Sequence, residues 1–188
     1  MSQDFDYIAQ LVNSFFSQQK VGKSLQLIEE FDITGWEVWF QVEFARFLSQ
    51  HESRPEWKRE RSIDYDHRME KTRSFCRSDF IIRKKGWRNE SYIIVEVKQH
   101  PDARNCFYSM MKDVKKISMI KKSSLAVRGY IMLGIHKRQK KSDLRKLIIS
   151  RLEAANMNLP EDRVLVRYIP GSNYAYSMIL AGAELSAP

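Results

Sequence analysis

The hydrophobic positions divide the chain into a helical beginning, a strand-rich centre and an alternation of both at the end. In "DFDYIAQLVNSFFSQQ", Phe5, Ile8, Leu11, Val12, Phe15 and Phe16 recur at helical spacing and predict an amphipathic helix over residues 4–18. "KSLQLIEEF" predicts a second, short helix. Thr34 followed three residues later by Glu37 has the form of a capping box and opens a helix to about Gln50. "ESRPEWKRER" then reads as a charged loop. From Ile63 the period changes to two. "IDYDHRME", "SFCRSDFIIRKK" and "ESYIIVEVKQ" predict three strands, the last two joined by a turn around Gly86. A helix is expected over 105–122, carried by Phe107, Met110, Met111, Val114 and Ile117. "RGYIMLGIH" predicts a buried strand, "KSDLRKLIISRLEAAN" a helix, and "DRVLVRYIP" and "NYAYSMIL" two edge strands. The expected fold is α/β: a mixed central sheet flanked by helices, with an N-terminal helical extension over 1–34, the main domain over 35–180 and a flexible tail over 181–188.

Against this frame, three acids stand out. In the helix opened by Thr34, Trp36, Trp39, Phe40, Glu43 and Phe47 share one face, which places Glu43 in an aromatic stripe. A buried ionised carboxylate is costly unless paired or bound to a cation. In "YIIVEVKQH", Ile94, Glu96 and Lys98 share one strand face while Ile93, Val95 and Val97 share the other. A symmetric hairpin centred between Trp87 and Arg88 would set Phe80 opposite Val95 and Asp79 opposite Glu96. Two carboxylates would then face each other with β-carbons about 5 Å apart, which destabilises a sheet unless something positive lies between them. A hard divalent cation with oxygen ligands, such as Mg²⁺, does that. A salt bridge for Glu43, a surface ion pair for Glu96 and Lys98, and a slipped register stay open on these residues alone.

Charge and motif content narrow the chemistry. Lys and Arg number 32 against 23 Asp and Glu, so the net charge is +9, and such a surface attracts polyanions, nucleic acid foremost. The excess lies in "RKKGWR", "KDVKKISMIKK" and "HKRQKKSDLRK", where Lys112, Lys115, Lys116, Lys137, Arg138, Lys140 and Lys141 are the candidate phosphate contacts. There is no glycine-rich phosphate loop and no G-x-S-x-G nucleophile turn. The two cysteines are too few for a disulfide framework. No membrane span and no signal peptide are read, so a cytoplasmic location without a membrane partner is expected.

Asp79, then Glu96-Val97-Lys98 on the next strand, with an acid on a preceding helix, resembles the PD-(D/E)XK nuclease superfamily. Residues 35–136 follow the order of its restriction-endonuclease-like core, αβββαβ. The resemblance implies that Asp79, Glu96 and the Val97 carbonyl bind Mg²⁺, with Mn²⁺ as substitute. It further implies that Lys98 positions or polarises the attacking water, that Glu43 is the acid of the first helix, and that Gln99 is a further polar site residue. Ser78 stands where the superfamily name has proline. The implied activity is a metal-dependent endonuclease acting on phosphodiester bonds, DNA favoured over RNA, serving in defence, mobile-element or phage DNA processing. The competing readings are a non-catalytic nucleic-acid-binding or assembly subunit that keeps the fold, and a partner-binding protein whose basic helices meet an acidic protein. A homodimer or larger assembly is compatible with each.

Overall fold

The period-two pattern around Ile93 becomes the centre of a six-stranded mixed sheet. The structure is a computed structural model and describes residues 3–87, 91–120, 126–157 and 159–182. Three helices come first: α1 (Gln3–Phe16), α2 (Gln19–Glu30) and α3 (Glu37–Gln50). Strands β1 (Glu56–Asp64), β2 (Phe75–Arg83) and β3 (Ser91–Gln99) follow, then α4 (Ala103–Ser118), β4 (Ala126–Lys137), α5 (Lys141–Ala154), β5 (Val164–Tyr168) and β6 (Tyr174–Gly182). The sheet order is β1-β2-β3-β4-β6-β5. Among the described residues only β3 and β4 run parallel. Parallel neighbours need a long crossover, and α4 supplies it.

Because helices cover both faces, β3 is apolar on both. Ile93, Val95 and Val97 join Phe80, Ile131 and Leu133 in a core shared with α1, α2 and α3. Ile94 joins Ile81, Tyr130 and Met132 in a second core under α4 and α5. The first core is held by rings. Phe15 of α1 has Phe16, Phe40, Phe44 and Phe47 at centroid distances of 5.2–5.7 Å, and Phe44 meets Phe80 of β2 edge-on at 5.3 Å. Edge-on and offset pairs of this kind add to plain area burial. The helices of residues 1–34 therefore contribute side chains to the same core as the sheet. Among the described residues no helix is long and apolar enough to cross a membrane.

Several boundaries differ from the sequence expectation, each for a physical reason. The first strand is Glu56–Asp64: it begins inside the stretch expected as a charged loop and ends at Asp64, two residues into the strand expected from Ile63, with a turn at 67–69. It is an edge strand, and charge on an edge protects its free backbone groups from pairing with other chains. Hydrophobic alternation therefore does not mark it. β6 is not an edge strand: it lies between β4 and β5, and Ala175–Ala181 are buried. Residues 181 and 182 thus belong to a strand, and 183–188 of the expected tail lie outside the described residues. Thr34 does not cap α3; Trp36 is the N-cap and its side chain makes no capping bond. α4 begins earlier than expected, where the Asp102 side chain accepts the Asn105 N–H, and Lys121 and Lys122 lie outside the described residues. So does Arg88, at the expected centre of the β2–β3 turn.

Gly22 shows how tightly α2 is seated. A β-carbon there would lie 2.5 Å from the Pro170 carbonyl oxygen in the turn before β6. Helix propensity alone favours alanine over glycine by about 1 kcal/mol. Overpacking against backbone costs roughly 1–3 kcal/mol. Gly22→Ala is therefore expected to destabilise the protein in urea unfolding; a gain in stability would show that the loop yields freely.

Candidate functional site

The site forms where β2 and β3 part. Their ladder runs through Ile82↔Ile93 and Ile81↔Ile94 to Phe80↔Val95, the register expected from the symmetric hairpin, and stops there. Continued, it would set Asp79 opposite Glu96 and Ser78 opposite Val97. Instead the Val97 N–H donates to Asp79 Oδ2 at 2.8 Å, so a side chain takes the place of a ladder acceptor. On the other side, the β1–β2 register passes from Arg59↔Phe80 to Arg61↔Ser78, and Glu60 between them has φ +49°. Such backbone is strained for a non-glycine residue.

Asp79 receives a second donor from α3. Gln41 Nε2 lies 2.9 Å from Asp79 Oδ1, and Gln41 Oε1 accepts from Arg59 Nη2 at 2.9 Å. The guanidinium can only donate, so it fixes which way the Gln41 amide points and keeps its NH₂ on Asp79. The Asp79 and Glu96 carboxyls are hydrogen-bonded to each other. Burial raises both pKa values. For Asp79 the Val97 N–H, Lys98 and the Glu96 hydrogen bond pull the other way. For Glu96 the nearby charges of Asp79 and Asp113 add to burial and push it up to about 9, against the opposing pull of Lys98. Burial and like charge thus oppose ionising both carboxyls at once.

Lys98 is the positive element. Its Nζ lies 2.9 Å from Asp113 Oδ2 of α4, and Asp113 Oδ1 is paired with Lys116. Burial opposes the Lys98 charge, but the close contact and charge of Asp113, with Glu37 and Asp79, outweigh it and raise its pKa. Glu37, in the first turn of α3, completes the group. Burial raises its pKa, Lys98 lowers it, Asp79 and Asp113 raise it, and the Gln99 N–H lowers it by hydrogen bonding. α3, β2, β3 and α4 therefore deliver four carboxyls, Glu37, Asp79, Glu96 and Asp113, around Lys98, with Lys116 beyond Asp113.

Asp79, Glu96 and Lys98 are brought together, although the ladder of the expected register stops one pair short of Asp79 and Glu96. Glu43 is not with them. Its carboxylate is 3.1 Å from Lys20 of α2 and 3.8 Å from Arg46. The buried stripe of α3 is Phe40, Phe44 and Leu48, with Gln41 buried beside it, whereas Trp39 and Phe47 are only half-buried. Shifting the stripe this way turns Glu43 toward α2 and brings Glu37 and Gln41 to the sheet. Val97 and Gln99 enter through their backbone N–H groups. Sequence reasoning missed Glu37, Gln41 and Asp113. Glu37 is concealed by its resemblance to a capping residue. Gln41 and Asp113 were detectable as polar residues on apolar stripes, Asp113 lying at helical spacing from Met110, Val114 and Ile117.

The candidate phosphate-binding cations fall into two groups. Lys112 lies over the Tyr108 ring on α4, beside Lys116. Arg138 and Lys141 flank the Tyr168 ring at 4.5 and 4.8 Å, with Lys140 exposed between them. Lys137 pairs with Glu29 at 3.3 Å. The Lys115 side chain lies outside the described residues.

Among the described residues no three His, Cys, Asp or Glu side chains are arranged to hold a metal ion. The chain matches no family model, no curated protein and no solved structure.

The raised pKa of Glu96 has a defined sign in stability. The folded value, about 9, exceeds the ordinary 4.5, so the contribution is complete below about 4.5 and is lost as pH climbs toward 9. Melts in chelator should show wild type losing stability relative to Glu96→Gln between pH 5 and 9. Parallel curves for the two proteins would contradict the raised Glu96 pKa.

Proposed function

We propose that the chain is a Mg²⁺-dependent endonuclease of the PD-(D/E)XK kind, hydrolysing phosphodiester bonds of nucleic acid, DNA rather than RNA. The observation that carries the reading is the contact between the Asp79 and Glu96 carboxyls beside the Lys98 ammonium. The order α3-β1-β2-β3-α4-β4, with β3 and β4 parallel, agrees with the core such enzymes share.

The donor set fits a hard cation. The pair is all oxygen and half-buried, and burial with like charge holds the Glu96 carboxyl up at about 9, a demand for positive charge that a cation would meet. Asp79 and Glu96 would hold the ion, with the Val97 carbonyl and waters as further ligands; Mn²⁺ would substitute. When bound, Mg²⁺ supplies Lewis acidity at the phosphate and lowers the pKa of a coordinated water. The protein's own groups do the remaining work. Gln41 and the Val97 N–H hold Asp79 in one orientation. Lys98 donates to the attacking water or to the scissile phosphate and offsets the charge that builds there. Glu37 faces Lys98 from α3 and is the acid in the role expected of Glu43. Lys112 and Lys116 on α4, and Arg138, Lys140 and Lys141 at the β4–α5 junction, would grip the backbone without reading sequence.

Nicking of supercoiled plasmid in Mg²⁺ tests this. Asp79→Ala and Lys98→Ala are each expected to lower the rate by about 10²–10³-fold, the usual loss for a preorganised electrostatic group. Glu43→Ala should leave it unchanged. Equal cleavage by all four proteins would refute the assignment. Salt-sensitive DNA binding without cleavage would favour a binding module that keeps the fold.

A further inference from the structure

Asp113 belongs to none of the expected roles, yet it is the most buried carboxylate of the group: only 4% of the residue is exposed. A carboxylate so placed is stable only if paired, and it is paired twice, with Lys98 from β3 and Lys116 from its own helix. The height of α4 over the sheet makes this possible. Gly134 of β4 is the register partner of Lys98. A β-carbon on Gly134 would meet Met110 Sδ at 2.5 Å and Cys106 Sγ at 3.0 Å. The missing side chain lets α4 lie close at this point, and Asp113, one turn beyond Met110, comes within reach of the Lys98 ammonium.

We infer that Asp113 is a positioning residue that fixes the Lys98 ammonium over the acid pair, with Lys116 as a counterweight; the inference rests on the nuclease reading. A free lysine head explores many rotamers, and ordering it costs on the order of 2 kcal/mol. Asp113 removes that search before substrate arrives. The Lys98–Asp113 contact is an ion pair at 2.9 Å without hydrogen-bond alignment, so the ammonium keeps donors for the water or the phosphate. Because Asp113 is shared with Lys116, the Lys98–Asp113–Lys116 group keeps one net positive charge facing the substrate. A lone Lys98–Asp113 pair would be neutral and of little use to an anion.

Two readouts test this on the full chain. The first is labelling of Lys98 by acetic anhydride, quantified by mass spectrometry against the other lysines of the same sample. It needs no catalysis. Asp113→Asn should raise Lys98 labelling several-fold, and Lys116→Met, at a half-exposed position, should lower it by leaving Asp113 to Lys98 alone. The second is plasmid nicking. Asp113→Asn should lower kcat by up to about 10²-fold, the scale of a misplaced catalytic group, with KM nearly unchanged, and Asp113→Glu should recover part of the loss. A structural role alone would change stability without singling out Lys98 or splitting kcat from KM. Unchanged Lys98 labelling in both variants, or an unchanged kcat in Asp113→Asn, overturns the inference. An inactive wild type removes the nuclease reading and the catalytic sense of the inference with it, while the labelling still decides whether Asp113 holds Lys98.

Discussion

Two carboxyl groups facing each other where two strands separate set the terms for everything around them. Asp79 and Glu96 cannot both be ionised in a half-buried site without a positive charge between them. Burial and the neighbouring charges of Asp79 and Asp113 push the Glu96 carboxyl up to about 9. Asp79 takes two N–H donors, from Gln41 and Val97, and Gln41 is itself locked by Arg59. Such a site is poorly suited to stability alone. An apolar pair at the same positions would satisfy the sheet at lower cost.

The fold makes the site by covering β3 from both sides and then running out of cover. Ile93, Val95 and Val97 on one face and Ile94 on the other tie the strand to both cores. At Glu96 and Lys98 the apolar run ends, the β2 ladder stops, and α3 and α4 both reach the gap. Gly134 lets α4 in, and the aromatic cluster around Phe15, Phe40 and Phe44 sets α3. The acids and the lysine are therefore held by packed elements rather than by loops, which is what a centre needing sub-ångström placement requires.

Much of this was legible in the residues because a hairpin obeys a simple rule: once Phe80 faces Val95, every other pair follows. That rule holds as far as Phe80 and Val95 and brings Asp79 beside the next strand, where its side chain takes the Val97 N–H. Helix faces gave less, because large aromatics at Trp39 and Phe47 drew the buried stripe of α3 about one residue off, toward Glu43 and away from Phe44 and Leu48. A residue's local signature can also conceal it. Glu37 fits a capping box and serves the site instead, and Asp113 sits among so many lysines that its place on the apolar stripe is easily passed over. The first part of β1 was read as a loop because edge strands carry charge, and β6 was read as an edge although it lies between β4 and β5. None of these follows from local pattern; each depends on which element lies next door.

Cation binding at the acid pair can be measured without substrate. If the place between Asp79 and Glu96 is filled by a proton until a cation arrives, binding must expel that proton. Calorimetric titration of Mg²⁺ or Mn²⁺ into the metal-free protein near pH 7, in buffers of different ionisation enthalpy, reads the number released. The account requires close to one proton per bound ion in wild type and none in Glu96→Gln. Metal binding with no proton released, or the same release from both proteins, would contradict it.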